Sequence, residues 1–224
     1  SVLGTMPWFY RLEDREDDLA DELKKVMETC QLKIEADALE NPSRTGMATT
    51  LTMAYVLWPH LYVVHVGDAR CYLLRNSTLE QITSDHTTMI APADQTSPEK
   101  PLPRTVLWNV IGGKQHEIWP DVHKLSLEPG DTLLLATDGL VREVPDDKIS
   151  EILLETRTAE EGCRSLVDAA NQAGGRDNIT VIVIRFGDFE FSEEPGVKAS
   201  ATVMQPEGPA DPGRQPPAAS ERMP

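Results

Sequence analysis

The sequence predicts an α+β fold in which antiparallel sheets are covered by helices. Three observations carry this. Apolar residues near the front of the chain recur at spacings of three and four, the period of one helix face. The middle switches to short segments rich in β-branched and aromatic residues, cut by turn residues. Helical spacing then returns before one last apolar run. Strands bunched between helices argue for antiparallel sheets and against a regular β-α repeat.

The first helix is expected over residues 12–40, with Leu19, Leu23, Val26, Met27, Cys30 and Ile34 on one face and Pro42 and Gly46 ending it. The segments "TTLTMAYVLW", "LYVVHV" and "CYLLRN" follow as a meander of strands, with "LEQIT" (79–83) as a short partner. Residues 87–104 carry four prolines and little periodicity, which predicts a loop or mobile flap. "HEIWPDVHKLSL" (116–127) reads as one or two strands, "EPGD" as a turn and "TLLLAT" (132–137) as a buried strand. Pro145 introduces a short helix, and Thr158-Ala159-Glu160-Glu161 is a capping box opening another that stops at Gly174-Gly175. The continuous apolar run of "NITVIVIRF" (178–186) predicts a strand central in its sheet.

With 224 residues, 40% of them hydrophobic, the chain can bury one domain, expected over residues 1–190. From 191 to 224 it is rich in Pro and Ala and nearly devoid of large apolar residues, the composition of a disordered tail. A net charge of −16 argues against nucleic acid or an anionic membrane surface as partner. Cys30, Cys71 and Cys163 lie far apart without metal-binding spacing, as in a reducing compartment. No apolar run approaches the roughly 18–20 residues of a membrane helix. The expectation is a cytoplasmic protein.

Three acids sit where strands end. Asp68 lies in "HVGDAR", Asp138 in "LATDGL" and Asp177 in "GGRDNITVIVI". Singly, each is equally a turn residue. Together they are carboxylates held by rigid elements, the hard oxygen donors that Mg²⁺ and Mn²⁺ take. The histidines and cysteines show no spacing for a competing zinc site. "IGGKQH" lacks the first glycine of a phosphate loop, and "ATD" lacks the first acid of an aspartyl-phosphate site.

The strings "GMATTLTMAYV" (46–56), "LYVVHVGDARCYLL" (61–74), "ITSDHT" (82–87), "LLLATDGL" (133–140) and "GGRDNITVIVI" (174–184) resemble, in order and spacing, the protein phosphatase 2C (PPM) family in its bacterial form. The resemblance implies an α-β-β-α sandwich of two antiparallel sheets flanked by helices. It implies hydrolysis of phosphoserine and phosphothreonine in proteins by a metal-activated water, with two core Mn²⁺ or Mg²⁺ ions and no phospho-enzyme. Asp138 and Asp177 match aspartates that bind one core ion. Gly139 matches the glycine that lets the chain turn beside them, and Asp68 an aspartate of a further, weaker metal position. Arg70 matches a structural ion-pair partner. The implied partners are phosphoprotein substrates of a Ser/Thr kinase.

The chain departs from that pattern at Ala69, where the family often has Ser, in its short proline-rich loop at 87–104, and more seriously in two places. The family's Arg-x-x-Asn-Glu-Asp-like and Asp-Gly-x-Gly-Gly stretches have no counterpart before the long helix, so the phosphate-binding arginine, the bridging aspartate and the first strands are expected to be missing. Arg142 stands where the family often has an acid near the third metal. A non-catalytic phosphatase-like module that binds a partner is therefore the alternative reading.

Overall fold

The computed structural model describes residues 16–90, 104–114 and 117–187. Helix α1 (Glu16–Glu40) leads into a 3-10 turn, Pro42–Arg44. Strands follow as β1 (Ala48–Thr49), β2 (Leu51–Leu57), β3 (His60–Val66), β4 (Arg70–Arg75), β5 (Thr78–Gln81), β6 (Thr87–Ile90), β7 (Arg104–Leu107), β8 (Ile111–Gly112), β9 (Asp121–Ser126) and β10 (Thr132–Ala136). Helices α2 (Asp138–Val141), α3 (Asp146–Glu155) and α4 (Ala159–Ala173) then precede β11 (Val181–Arg185).

Two antiparallel sheets, β2-β3-β9 and β11-β10-β4-β5, form the middle of the molecule. The two-residue period of a strand sorts their side chains into three apolar layers. Tyr62, Val64 and Val66 of β3 bury Leu19, Leu23 and Met27 of α1. Leu61 and Val63 point the opposite way, onto Cys71 and Leu73 of β4 and Leu133 of β10. Tyr72, Leu74, Leu134 and Ala136 then look outward onto Leu140, Ile149, Leu153, Leu166 and Ala170 of α2, α3 and α4. The layering is therefore α-β-β-α, as expected. Fully burying one such leucine stabilises by about 1.5–3 kcal/mol on the area scale, so these seams hold the sheets face to face.

Local signals hold where the chemistry is local. The Thr158 hydroxyl accepts from the Glu161 amide at 3.1 Å, and Glu161 Oε2 accepts from the Thr158 amide at 3.2 Å, closing the capping box that starts α4. Asp146 and Asp147 occupy the first turn of α3, where acids complement the helix dipole.

Two expectations are corrected. The stretch 87–104 is not loop throughout, because its ends pair as the β6–β7 hairpin, Thr87 opposite Leu107 and Ile90 opposite Arg104. Its prolines lie at positions 92–103, so Thr87-Thr88-Met89-Ile90 keeps every amide a ladder needs. Strand β11 is not central. Among the described residues it is an edge strand, paired only with β10. Its apolar continuity comes from both faces being covered: Val181 and Val183 pack under the helices, and Ile184 packs against the facing sheet. Residues 12–15 of the expected first helix and the expected tail lie outside the described residues.

Candidate active site

The end of β10 and the start of β11 are fastened together before either delivers its acid. Ala136 pairs with Val181. One residue on, the Thr137 amide donates to the Thr180 carbonyl at 3.0 Å, and the Thr180 amide donates to Thr137 Oγ1 at 3.0 Å. Asp138 then opens α2, a single helical turn, and Asp177 caps its own turn by accepting from the Asn178 amide at 2.8 Å. Gly139 makes the arrangement possible. A Cβ there would overlap the Asn178 carbonyl oxygen, lie 2.9 Å from its carbon and 3.5 Å from the carbonyl carbon of Asp177. Gly139 is not in the left-handed region. It is needed for close approach of two backbones, and it offers no side-chain donor.

Asp68 arrives from a different direction. It sits between β3 and β4, where the chain leaves one sheet for the other. Gly67 before it has φ +121°, and a Cβ there would overlap the Thr50 side chain. The Gly67 carbonyl accepts from the His86 amide at 2.7 Å, and the Gly67 amide donates to His86 Nδ1 at 3.2 Å. Since Nδ1 accepts, the proton of His86 sits on Nε2, 3.0 Å from Asp121 Oδ2. His65 packs beside it with its ring tilted by 45° and the centroids 4.7 Å apart, its Nε2 3.1 Å from the Ser84 carbonyl and its Nδ1 2.9 Å from Thr52 Oγ1. Burial, then the neighbouring His86, pushes His65 down to about 4. Both histidines brace the turn that carries Asp68.

The three aspartates meet at one cation, the Arg142 guanidinium. Its Nη2 lies 2.7 Å from Asp138 Oδ2 and 3.5 Å from Asp68 Oδ2, and its Nη1 lies 3.6 Å from Asp177 Oδ2. The Asp68 side chain is 14% exposed, against 27% for Asp138 and 50% for Asp177. Burial and the nearby Asp138 carboxylate raise the Asp68 pKa, and Arg142 opposes them. These are hard oxygen donors facing one point, so their chemistry suits Mn²⁺ or Mg²⁺. Among the described residues, though, no three His, Cys, Asp or Glu residues are grouped closely enough to hold a metal ion. The guanidinium stands between them.

Two further ion pairs hold the surroundings. Arg70 makes a bidentate bond to Asp85 at 2.8 and 2.9 Å and donates to Tyr72 Oη, the structural role implied for it. Arg176 grips the nearly buried Glu143 at 2.9 and 3.1 Å, tying the loop before Asp177 to the end of α2. Sequence reasoning marked Arg142 only as a departure and missed the Arg176–Glu143 pair. The first had a signal, since Asp138 and Arg142 are four residues apart, one helical turn. The second, 33 residues apart in sequence, had none.

This geometry can be set against known proteins. The family profile described as "Stage II sporulation protein E (SpoIIE)" matches residues 8–187. The chain belongs to the PP2C-type phosphatase family. It is 34% identical over 189 residues to the serine/threonine protein phosphatase PstP of Mycobacterium tuberculosis, covering 82% of this chain and 36% of that protein. It is 32% identical over 166 residues to the serine/threonine phosphatase stp of Listeria monocytogenes, covering 72% of this chain and 66% of that one. The chain thus spans about a third of one PP2C-type relative's length and just under two thirds of the other's. Among solved PP2C-type structures, the M. tuberculosis PstP/Ppp phosphatase superposes with TM-score 0.65 at 32% identity, covering 80% of this chain and 78% of that one. The PstP catalytic domain in complex with two manganese ions superposes with TM-score 0.62 at 33% identity, covering 81% and 77%.

Proposed function

We propose that this chain carries part of the active site of a metal-dependent protein serine/threonine phosphatase, in which Asp138 and Asp177 hold a core Mn²⁺ or Mg²⁺ and Asp68 serves a weaker position. The observation that carries the reading is the convergence of Asp138 and Asp177 at adjacent strand ends. It occurs in a chain 33% identical to a phosphatase domain solved with two manganese ions. Bound ions would supply Lewis acidity and an activated water for a phosphomonoester, a reaction whose uncatalysed barrier is among the highest known. The chain's own work is positional. Thr137 and Gly139 set how close Asp138 comes to Asp177, and Gly67 with His86 sets the Asp68 turn. The substrates in this reading are phosphoproteins made by a Ser/Thr kinase, in cytoplasmic signalling. In this reading the phosphatase domain spans residues 1–190. No helix among the described residues is long and apolar enough to cross a membrane.

The test is Mn²⁺-dependent dephosphorylation of a phosphothreonine peptide by the natural-length protein and its Asp138→Asn variant. Activity that falls by roughly 100-fold or more in the variant is expected for loss of a metal ligand. Activity without added metal, or indifferent to Asp138→Asn, defeats the reading.

A further inference from the structure

We propose that Arg142 is the resident cation of the Asp68–Asp138–Asp177 corner, a tethered counter-ion that takes the place of a divalent ion beside Asp68 and competes with metal for Asp138. The competition half of this rests on the metal reading above; the counter-ion half does not.

The argument is geometric. Three carboxylates from three separate segments lie within 3.6 Å of one guanidinium. Left unbalanced, they would repel one another at a site where Asp68 is mostly buried. Arginine suits the role because its charge is permanent and its planar fork can serve several carboxylates at once. The connection to Asp138 is built into α2: the Arg142 amide donates to the Asp138 carbonyl at 3.0 Å, so acid and base stand on one helical turn. No other Lys or Arg among the described residues pairs with these three aspartates. Arg70 and Arg176 are engaged elsewhere, with Asp85 and Glu143 respectively.

The Arg142 side chain is 57% exposed, so it is free to swing into solvent when a stronger cation arrives. A divalent ion must therefore displace the guanidinium from Asp138. Displaced from Asp138, the arginine stays beside Asp68, and the third ion position is filled by protein.

The experiment uses the full chain as wild type, Arg142→Ala, Arg142→Asp, and each of these two variants combined with Asp68→Asn. Thermal melts in EDTA read the counter-ion. The expected result is a melting point about 2–4 °C lower for Arg142→Ala, recovered when Asp68→Asn removes one unbalanced carboxylate. Titration of Mn²⁺ by calorimetry reads the competition. Arg142→Ala is expected to bind Mn²⁺ about five- to tenfold tighter than wild type. Arg142→Asp is expected to bind one ion more than wild type, and Asp68→Asn is expected to remove that ion. Equal melting points of wild type and Arg142→Ala in EDTA overturn the counter-ion. Equal Mn²⁺ affinity and number across wild type and both variants overturn the competition. If none of the proteins binds Mn²⁺, the metal reading itself falls, and the EDTA melts still decide the counter-ion.

Discussion

Replacing Gly139 with alanine puts two principles in opposition, and the structure decides the sign. Gly139 lies inside a helical turn, where alanine is the better residue by up to about 1 kcal/mol. Propensity alone thus predicts a more stable protein. The new methyl group, however, would overlap the Asn178 carbonyl oxygen and sit 2.9 Å from its carbon, inside the usual separation of non-bonded atoms. The obstructing atoms are backbone, and Thr137 with Thr180 fastens that backbone on both sides, so no side chain can rotate away. Overpacking of this kind costs about 1–3 kcal/mol; its middle value, about 2 kcal/mol, less a propensity gain of up to about 1 kcal/mol leaves a net loss of about 1–2 kcal/mol. For a domain of this size that lowers the melting temperature by about 2–8 °C. Calorimetric melts of wild type and Gly139→Ala at equal concentration measure it. The same variant is expected to move Asp138 away from Asp177, and under the proposed metal site to weaken Mn²⁺ binding as well. A Gly139→Ala protein that melts with or above wild type would refute the close-approach argument.

Three further outcomes are expected. Asp131 is buried and receives Arg75 at 2.8 and 2.6 Å and the Glu128 amide at 2.8 Å; burial would raise its pKa, but these partners outweigh it and hold it below 3.8. A carboxyl lowered on folding stabilises above its unfolded pKa and loses that contribution as pH falls through the folded one. Urea unfolding of wild type should therefore weaken below about pH 4, and Arg75→Ala should cost about 2–3 kcal/mol at neutral pH by stranding the acid; an Arg75→Ala protein as stable as wild type sinks this. His65, pushed from 6.5 to about 4 by burial and His86, is neutral in the folded state. Its stabilisation is complete above pH 6.5 and drains away toward pH 4, by roughly 3 kcal/mol in total, so His65→Gln should flatten the urea-midpoint profile in that window, and an unchanged slope would count against it. Thr158→Ala removes the α4 capping box and should cost about 1 kcal/mol, seen as a lower melting temperature that Thr158→Ser largely restores.

What was legible in the sequence was what neighbouring residues decide. The capping box at Thr158–Glu161, the stop at Gly174 and the short helix after Pro145 all rest on contacts a few residues long. The edge position of β11 was not legible, because a run such as "VIVIR" reports that both faces are covered and is silent about lateral neighbours. The β6–β7 hairpin was hidden for a related reason: four prolines between its arms dominate the composition, while pairing depends on residues outside them. At the site, the strand-end acids stood out as a pattern, and their convergence is what the structure adds. That Arg142 should reach all three depends on Asp68 crossing from the other sheet, which no local spacing records.

That crossing gives the site two legs of different stiffness. Asp138 and Asp177 flank the Ala136–Val181 end of one strand pair, and the bonds between Thr137 and Thr180 limit how far they can part. Asp68 stands where the chain passes between sheets, and its distance from the other two is set by how thickly Leu61, Val63, Cys71, Leu73 and Leu133 fill the seam. A packing change there, such as Leu133→Val, acts as a spacer adjustment on one leg only. It would slacken the reach from Asp68 to Arg142 and leave the Asp138–Asp177 leg at its original length. Side-chain volume deep between the sheets is thereby converted into carboxylate spacing at the rim.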